Sequence, residues 1–331
     1  MYNGAIDRLK GLGMAKQGSF EMSGFAKFAK PTRRERFLNE MEAAVPWPEL
    51  LAVLLPYYPK DPGTSGGRPP RGLEVMLRIH LLQHWFTLSD PGVEDALYES
   101  PVLRRFVGID LGREAVPDET TIMRFRHLLE QHQLGQALFE AVNTVLRDKG
   151  LLLQKGTIVD ATIINAPSST KNQTGERDPE MWQTKKGEQW YFGMKLHIGV
   201  DVDSKAIHSL DVTPANIYDG DCLANLLHGE EAAVWGDQLY AGRTEVIAAH
   251  APKAKDLTYR RVRWHDTEHP ERPRNRRKSR IRAKVEHPFL TIKRIFGFSY
   301  TRLKGMAKNT NRLYVTCAMA NLHRLRWRLA G

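Results

Sequence analysis

Cysteine is nearly absent from this chain, which has only Cys222 and Cys317 among its 331 residues. Two cysteines so far apart exclude a disulfide framework and a cysteine-rich zinc module, and they suit a reducing compartment. Long apolar runs are also missing. The longest, Leu50 to Leu55, ends at Pro56, far short of the ~18 residues of a membrane span. With no secretory signal pattern at the N-terminus, the sequence predicts a soluble cytoplasmic protein without a membrane partner.

Acidic residues are scarce in the last quarter of the chain. The whole chain carries a formal charge of +11, but residues 251–331 hold 22 basic and 5 acidic side chains, a net of +17, and residues 1–250 have a net of −6. This asymmetry indicates a polyanionic partner, because Lys and Arg neutralise phosphates and release counterions. A solvated basic surface is the alternative. Aromatic residues among the charges (Trp264, Phe296 and Tyr300) favour nucleic acid.

The rest of the composition is that of an ordinary globular protein. Hydrophobic residues make up 41% and charged residues 26% of the chain, which excludes wholesale disorder. At about 150 residues per domain, the length suggests two domains. The sequence changes near Gly150 from helical periodicity to β-branched runs, which predicts a helical N-terminal domain at 1–150 and an α/β domain at 151–331.

Helical spacing of apolar residues characterises the first 150 residues. The predicted helices begin at a capping box at Thr32–Glu35 and continue with Leu73–Trp85, Val93–Tyr98, Val102–Val107, a helix capped by Asp118, and Leu134–Arg147. Pro59–Gly72 is rich in proline and glycine and predicts a loop. Short helices carrying Arg124 and Arg126 fit a helix-turn-helix DNA reader. They fit a packing or dimerisation domain equally well.

Strand patterns dominate the second half of the chain. Predicted strands are Thr157–Ile163, Trp190–Val202, Ile207–Val212, Ala232–Trp235 and Asp256–Tyr259, with helices at Asp221–Leu227, Thr244–Ala249 and Ile281–Phe296. The polar stretches Pro167–Gln189 and Trp264–Arg280 are predicted to be loops or insertions, the second strongly basic near 260–280. Strands first, and then strands alternating with helices, predict a mixed α/β sheet.

Two aspartates occupy positions that are costly or functional in a sheet. Asp160 lies within a β-branched strand, where burying a carboxylate is expensive unless it is paired or binds a metal; an edge strand facing water is the alternative. Asp237 follows a short apolar strand, and ligands of α/β sheets bind beyond the carboxyl ends of strands. A turn or a helix cap would also explain Asp237.

Glu286 lies on the predicted late helix, on a stripe beside the core face that it shares with Arg282 and Lys293. An ordinary Arg–Glu surface pair at i,i+4 spacing is the alternative, worth only tenths of a kcal/mol. Pro288 removes a helical hydrogen bond and disfavours the α conformation at the residue before it. We therefore expect the helix to kink near Glu286.

Five short motifs carry a resemblance that the single residues do not. They are Pro117–Ile122, Val159–Thr162, Phe192–His197, Thr213–Asn216 and the spacing Arg282-x3-Glu286-x6-Lys293. Together they resemble the DDE transposases of bacterial insertion sequences, family five, over nearly the whole chain beyond about residue 30. The resemblance implies a ribonuclease H-like mixed sheet flanked by helices and preceded by an all-helical N-terminal region. That region would bind DNA ends, mediate dimerisation, or both.

The resemblance also implies a chemistry. Asp160, Asp237 and Glu286 would be the catalytic residues and the ligands of two Mg²⁺ ions, for which Mn²⁺ can substitute. Two such ions activate the attacking oxygen and stabilise the leaving oxygen in a phosphoryl transfer. Water would cut the ends of the element, and the freed 3′-hydroxyls would join target DNA. The resemblance implies that Arg282 and Lys293 hold DNA phosphates, and Lys195 is a further candidate for DNA binding. The basic run with Arg276, Arg277, Lys278 and Arg280 is a candidate phosphate-binding loop, with a solvated loop as the alternative.

The implied partner is double-stranded DNA, as terminal inverted repeats and as target, bound by a homodimer or larger assembly at the nucleoid. His197 shares a strand face with Lys195, and its role stays open between the site and a buried core histidine. Two positions depart from the family pattern: Ser279 replaces a tyrosine, and Leu239 replaces a glycine. Leu rarely takes a positive φ, which predicts an altered loop around Asp237.

Two further functions stay compatible with the sequence. One is a ribonuclease H-like nuclease that hydrolyses DNA without joining it. The other is a catalytically impaired, transposase-derived protein that only binds DNA. Joined products would distinguish a transposase from the first, and metal-dependent nicking would exclude the second.

Overall fold

The computed structural model describes residues 30–60, 69–153, 155–171, 175–260, 262 and 268–329. The centre of the predicted Pro59–Gly72 loop, Trp264 and its neighbours in the basic stretch lie outside the described residues. The chain forms two compact units, Met1–Phe37 and Leu38–Gly331. In the first unit, the Thr32 hydroxyl accepts a hydrogen bond from the Glu35 N–H, as the capping box predicts.

Seven helices are described before residue 150, and the predicted ones are confirmed. They are α1 (Arg33–Ala44), α2 (Trp47–Leu54), α3 (Leu73–Phe86), α4 (Asp90–Glu99), α5 (Pro101–Val107), α6 (Glu119–Gln131) and α7 (Leu134–Asp148). Side chains close several of their N-termini as the sequence suggests. The Asp118 carboxylate accepts a hydrogen bond from the Thr121 N–H at 2.7 Å and so caps α6.

Six strands of the described chain form one mixed sheet. They are β1 (Thr157–Asn165), β2 (Trp182–Lys186), β3 (Gln189–Asp201), β4 (Ile207–Pro214), β5 (Ala233–Trp235) and β6 (Lys255–Asp256). Their order is β2-β3-β1-β5-β6, and β4 also pairs with β3. β3 is antiparallel to β1, β2 and β4, whereas β5 is parallel to β1 and β6. The mixed sheet and its helical flanks are consistent with the ribonuclease H-like prediction.

Two predictions for the sheet need correction. The polar stretch Pro167–Gln189, predicted to be a loop, contains β2. β2 is almost wholly exposed, and Trp182 is its one apolar residue, so it lacks the alternation by which a half-buried strand is detected. The predicted strand Asp256–Tyr259 is also wrong in extent, because the observed β6 is Lys255–Asp256.

Helices cover the sheet in the second half. They are α8 (Thr244–His250), α9 (Glu271–Arg282), α10 (Glu286–Leu290) and α11 (Met306–Leu329), with 3-10 segments at Asp219–Leu226, Gln238–Tyr240 and Ala283–Val285 and a π segment at Thr291–Ile295. The predicted helix at Asp221–Leu227 is therefore a 3-10 segment. The irregular turns on either side of α10 agree with the expected kink near Glu286.

From residue 271 onward the basic stretch ending at Arg280 is helical, which corrects the predicted loop for those residues. They belong to α9, in which every residue is exposed or half-buried. Without an apolar face α9 has no helical periodicity to detect. Arg276, Arg277, Lys278 and Arg280 therefore lie on a helix.

The C-terminal helix α11 was not predicted, and it holds the two halves of the chain together. It packs against α7 and β4. Asn321, fully buried on α11, accepts a hydrogen bond from the Ile207 N–H at 2.8 Å and donates one to the Asn143 side chain at 2.9 Å. Domains at 1–150 and 151–331 stay a prediction. No helix in the described ranges has both the length and the apolar character needed to cross a membrane.

Candidate active site

Strand register brings Asp160 and Asp237 to the same place. β1 and β5 run parallel, and Ile158 pairs with Trp235. Each aspartate lies two residues beyond its strand's member of that pair, so both project at the carboxyl end of β5 and the middle of β1. A buried cluster that includes Val159, Val234 and Tyr240 packs beneath them.

Both aspartates line one cavity of about 170 Å³. Lys195 and Asp219 line it too, and the Lys195 ammonium donates to an Asp219 oxygen at 2.7 Å. Leu239 closes part of the rim. Three carboxylates (Asp160, Asp219 and Asp237) and three lysines (Lys185, Lys186 and Lys195) line the cavity, and the Lys195 ammonium is already engaged by Asp219.

The environment of Asp160 disfavours the ionised form of its carboxyl group. Its side chain is only 14% exposed. Burial raises the pKa of Asp160 to about 7, although Arg282 and the Ala161 N–H oppose the rise, and Asp237 and Glu286 add to it by repulsion. An additional cation close by would stabilise the ionised form of this buried carboxyl group.

Arg282 is the cation that pairs directly with Asp160. Its guanidinium contacts an Asp160 oxygen at 2.8 Å and a Glu286 oxygen at 3.9 Å. Glu286 is 64% exposed, and Arg282 contacts both Glu286 and Asp160. Within the described ranges, no three Asp, Glu, His or Cys side chains are close enough together to hold a metal ion.

Of the other predicted DNA-binding residues, some already form hydrogen bonds within the protein and others are exposed. The Lys293 ammonium donates to the Ile163 carbonyl at 2.6 Å, next to the site, and Lys278 donates to the Thr258 carbonyl at 2.8 Å. Arg276, Arg277 and Arg280 are exposed on α9. The exposed three are therefore the ones available to a large polyanion without any rearrangement.

His197 belongs to the sheet interior. Its side chain is fully buried on β3, and its Nε2 lies 2.8 Å from the Thr213 hydroxyl on β4. Burial lowers the pKa of His197, so the ring is neutral near pH 7. It is not among the residues that line the Asp160 cavity, which favours the core histidine interpretation.

The loop around Asp237 does not need the positive φ that a glycine would supply. Residues 238–240 form a 3-10 turn, and the Asp237 carboxylate caps it by accepting the Leu239 N–H at 2.8 Å. Leu239 is not among the residues with positive φ. The turn is one that leucine adopts readily, and the alteration of this loop relative to the family pattern stays a prediction.

Two residues of the site carried no sequence signal. Asp219 follows β4 in a polar segment, and only the fold brings it to Lys195. Tyr259 lies just beyond β6, where its N–H donates to the Gly236 carbonyl at 3.1 Å and its hydroxyl donates to the Ser279 hydroxyl. A phenol thus lies beside Ser279, where the sequence pattern led us to expect a tyrosine.

Two family models match the chain, and between them they span both of its halves. Residues 152–322 match the family model described as the transposase DDE domain. Residues 27–128 match the one described as a transposase domain (DUF772). No solved structure matches the chain.

Proposed function

The chain belongs to the transposase DDE family of insertion-sequence type, whose domain model covers more than half of it, and on this premise we propose that it cuts element ends and joins the freed 3′-hydroxyls to target DNA. The observation that carries the proposal is the buried Asp160 carboxylate beside Asp237, with a raised pKa and a polar cavity in front of it. Membership of family five remains a prediction.

The donor set fits hard divalent cations in part. Asp160 and Asp237 offer carboxylate oxygens, the ligands that Mg²⁺ and Mn²⁺ prefer. A pair of such ions, when bound, would activate the attacking oxygen and stabilise the leaving oxygen. Glu286 completes the proposed set only when Arg282 no longer lies between it and Asp160.

Arg282 has two successive partners in this proposal. In the DNA-free protein its guanidinium neutralises Asp160 and Glu286 and so stands in for a cation. Once metal takes over that charge, Arg282 is free to bind a DNA phosphate, for which its planar fork of donors is suited. Lys293, which already donates to the Ile163 carbonyl on β1, would hold a neighbouring phosphate. Lys195 would hold another.

A metal titration tests this exchange without requiring catalysis. Arg282→Met removes the competing guanidinium and keeps much of its length. We expect Mn²⁺ to bind about tenfold more tightly, equivalent to about 1.4 kcal/mol, as measured by the free Mn²⁺ signal in electron paramagnetic resonance. Arg243→Met, which removes an arginine paired with Asp221 and not with Asp160, Asp237 or Glu286, should leave Mn²⁺ affinity unchanged. If Arg282→Met bound Mn²⁺ no more tightly than the wild type, Arg282 would not be neutralising the carboxylates in place of a metal.

DNA is the proposed partner, in the form of element ends and target duplex. Exposed arginines on α9 lie on the helix that leads directly to Arg282, and α9 contacts β1 and β5. DNA following that helix would therefore arrive at the aspartates. We propose that the helical region at 1–150 binds the ends or mediates a homodimer, and that the protein works at the nucleoid.

Ionic strength tests the contribution of α9. The triple variant Arg276→Ala/Arg277→Ala/Arg280→Ala should bind duplex more weakly and show a flatter plot of log K against log[salt]. The slope should change by about 0.9 for each phosphate that the variant no longer neutralises. Fluorescence anisotropy in EDTA measures it. Lys253→Ala, which removes an exposed lysine paired with Glu230, is the control. A slope equal to that of the wild type would remove α9 from the interface.

A strand-joining assay tests the overall function. Labelled duplexes that end in the inverted repeats flanking the reading frame are incubated with plasmid target and Mg²⁺. A transposase yields both nicked ends and longer labelled products covalently joined to the plasmid. Nicking without joining would favour the nuclease. Neither product, with DNA binding intact, would favour a protein that only binds DNA.

A further inference from the structure

A second cavity, distinct from the Asp160 cavity, lies where α3, α6 and the beginning of α11 meet. Its volume is about 120 Å³, several times the roughly 10–15 Å³ that one water needs. Four cationic side chains line it: Arg126, Arg302, Lys308 and Arg312. None of the described residues that line this cavity also lines the Asp160 cavity.

The carboxylates that line this cavity are already committed to other partners. Asp90 accepts hydrogen bonds from Gln83 and from Arg126, both at 2.8 Å. Glu130 accepts one from Arg126, also at 2.8 Å. Arg126 therefore forms salt bridges with both carboxylates, Asp90 and Glu130. Asp90 and Glu130 also attract Arg312 electrostatically, but four cations against two carboxylates leave two positive charges in excess in this cavity.

Arg312 shows the shortage of compensating anions most clearly. Its guanidinium lies over the Phe298 ring, 5.4 Å from the centroid, and within the described part of the chain its buried Nε has no hydrogen-bond partner. Burial lowers the pKa of Arg312 to about 10, and the nearby Arg302 and Arg126 contribute to that fall. Burying a cation without an anion is costly, so such a group is usually found with a partner.

We propose that this cavity is an oxyanion site that binds a phosphate group through Arg312, Arg302 and Lys308. The guanidinium of Arg312 would form the floor, and the exposed Arg302 and Lys308 would close over the anion from the rim. Guanidinium and ammonium groups converging on a small polar cavity are the donors that phosphate oxygens require. The phosphate could come from a DNA backbone or be free in solution, and the chemistry of recognition is the same.

Thermal unfolding with inorganic phosphate tests the site, because a ligand that binds the folded state raises the unfolding temperature. At constant ionic strength set with NaCl, phosphate should raise the wild-type midpoint in a saturable manner. Arg312→Met should be more stable than the wild type without phosphate, since it removes a buried unpaired charge, and it should lose the response. Arg324→Met, on the same helix but bound to the Ser204 carbonyl, should keep the response.

A second, exposed position keeps the test decisive if Arg312→Met folds poorly. Lys308→Gln changes a solvent-exposed side chain at the rim and should weaken phosphate binding at least threefold by isothermal titration calorimetry. A wild-type phosphate response in both variants would overturn the proposal. So would the absence of any saturable response in the wild type.

Duplex DNA without metal identifies the source of the phosphate. If the anion is a DNA phosphate, Arg312→Met should reduce the slope of log K against log[salt] by about 0.9, the value for one phosphate. If it is a free anion, the slope should match the wild type while inorganic phosphate binding is abolished. Both outcomes support the oxyanion site. Neither requires cutting or joining, so failure here is distinguishable from failure of the proposed activity.

Discussion

Glu286→Gln is expected to lower both nicking and joining about 1,000-fold while the protein folds and binds DNA as before. Glutamine keeps the size and the helix propensity of glutamate but not the charge that a divalent cation requires. The loss corresponds to about 4 kcal/mol, a typical contribution of metal catalysis to transition-state stabilisation. Both steps should fall together, because both would use the same carboxylates.

The structure explains why the fold should tolerate this change. Glu286 is 64% exposed, and its contact with Arg282 is 3.9 Å long, so the pair is worth only tenths of a kcal/mol. Activity is measured with labelled element ends in Mg²⁺ and in Mn²⁺, and folding by circular dichroism. Glu245→Gln, which changes an exposed glutamate on α8, is the matched control. Strand transfer by Glu286→Gln at the wild-type level would remove Glu286 from the site.

Asn321→Ala is expected to destabilise the protein by about 3 kcal/mol. Asn321 bonds both backbone groups of Ile207, accepting from its N–H at 2.8 Å and donating to its carbonyl at 2.7 Å. It also donates to Asn143 on α7. Alanine would remove the partner of the buried Ile207 N–H and of the Asn143 Oδ1, while the Asn143 Nδ2 keeps its bond to the Ile207 carbonyl at 3.2 Å. Each buried group that loses its partner costs about 1–3 kcal/mol. Chemical denaturation measures the change.

The control variant for Asn321→Ala is Arg328→Ala, a substitution at an exposed position on the same helix. This control should change the free energy of unfolding by less than about 0.5 kcal/mol. A loss below about 1 kcal/mol for Asn321→Ala would mean that α11 is held to β4 by apolar packing rather than by this amide network. If the network does hold it, a double variant with Asn143→Ala should lose less than the sum of the two single losses, because the residues share a hydrogen bond.

Local chemistry determined much of this protein from the sequence alone. Helices α3 to α7 follow from apolar spacing and from caps such as Asp118, and β1 follows from its β-branched residues. The short motifs were sufficient to indicate the transposase family, because they preserve residue types at fixed spacing. Asp160 and Asp237 could be selected as site candidates because a carboxylate within or just after an apolar strand is costly without a function.

Tertiary structure decided what depends on partners distant in the sequence. β2 and α9 have no apolar face, so their pairing and packing, not their patterns, define them. The parallel register of β1 and β5 brings Asp160 to Asp237 across 77 residues. Arg282 could be assigned to DNA by its motif, but only the fold shows its guanidinium on Asp160. The position of a charged side chain depends on which opposite charges the fold brings within reach, and linear spacing does not contain that information.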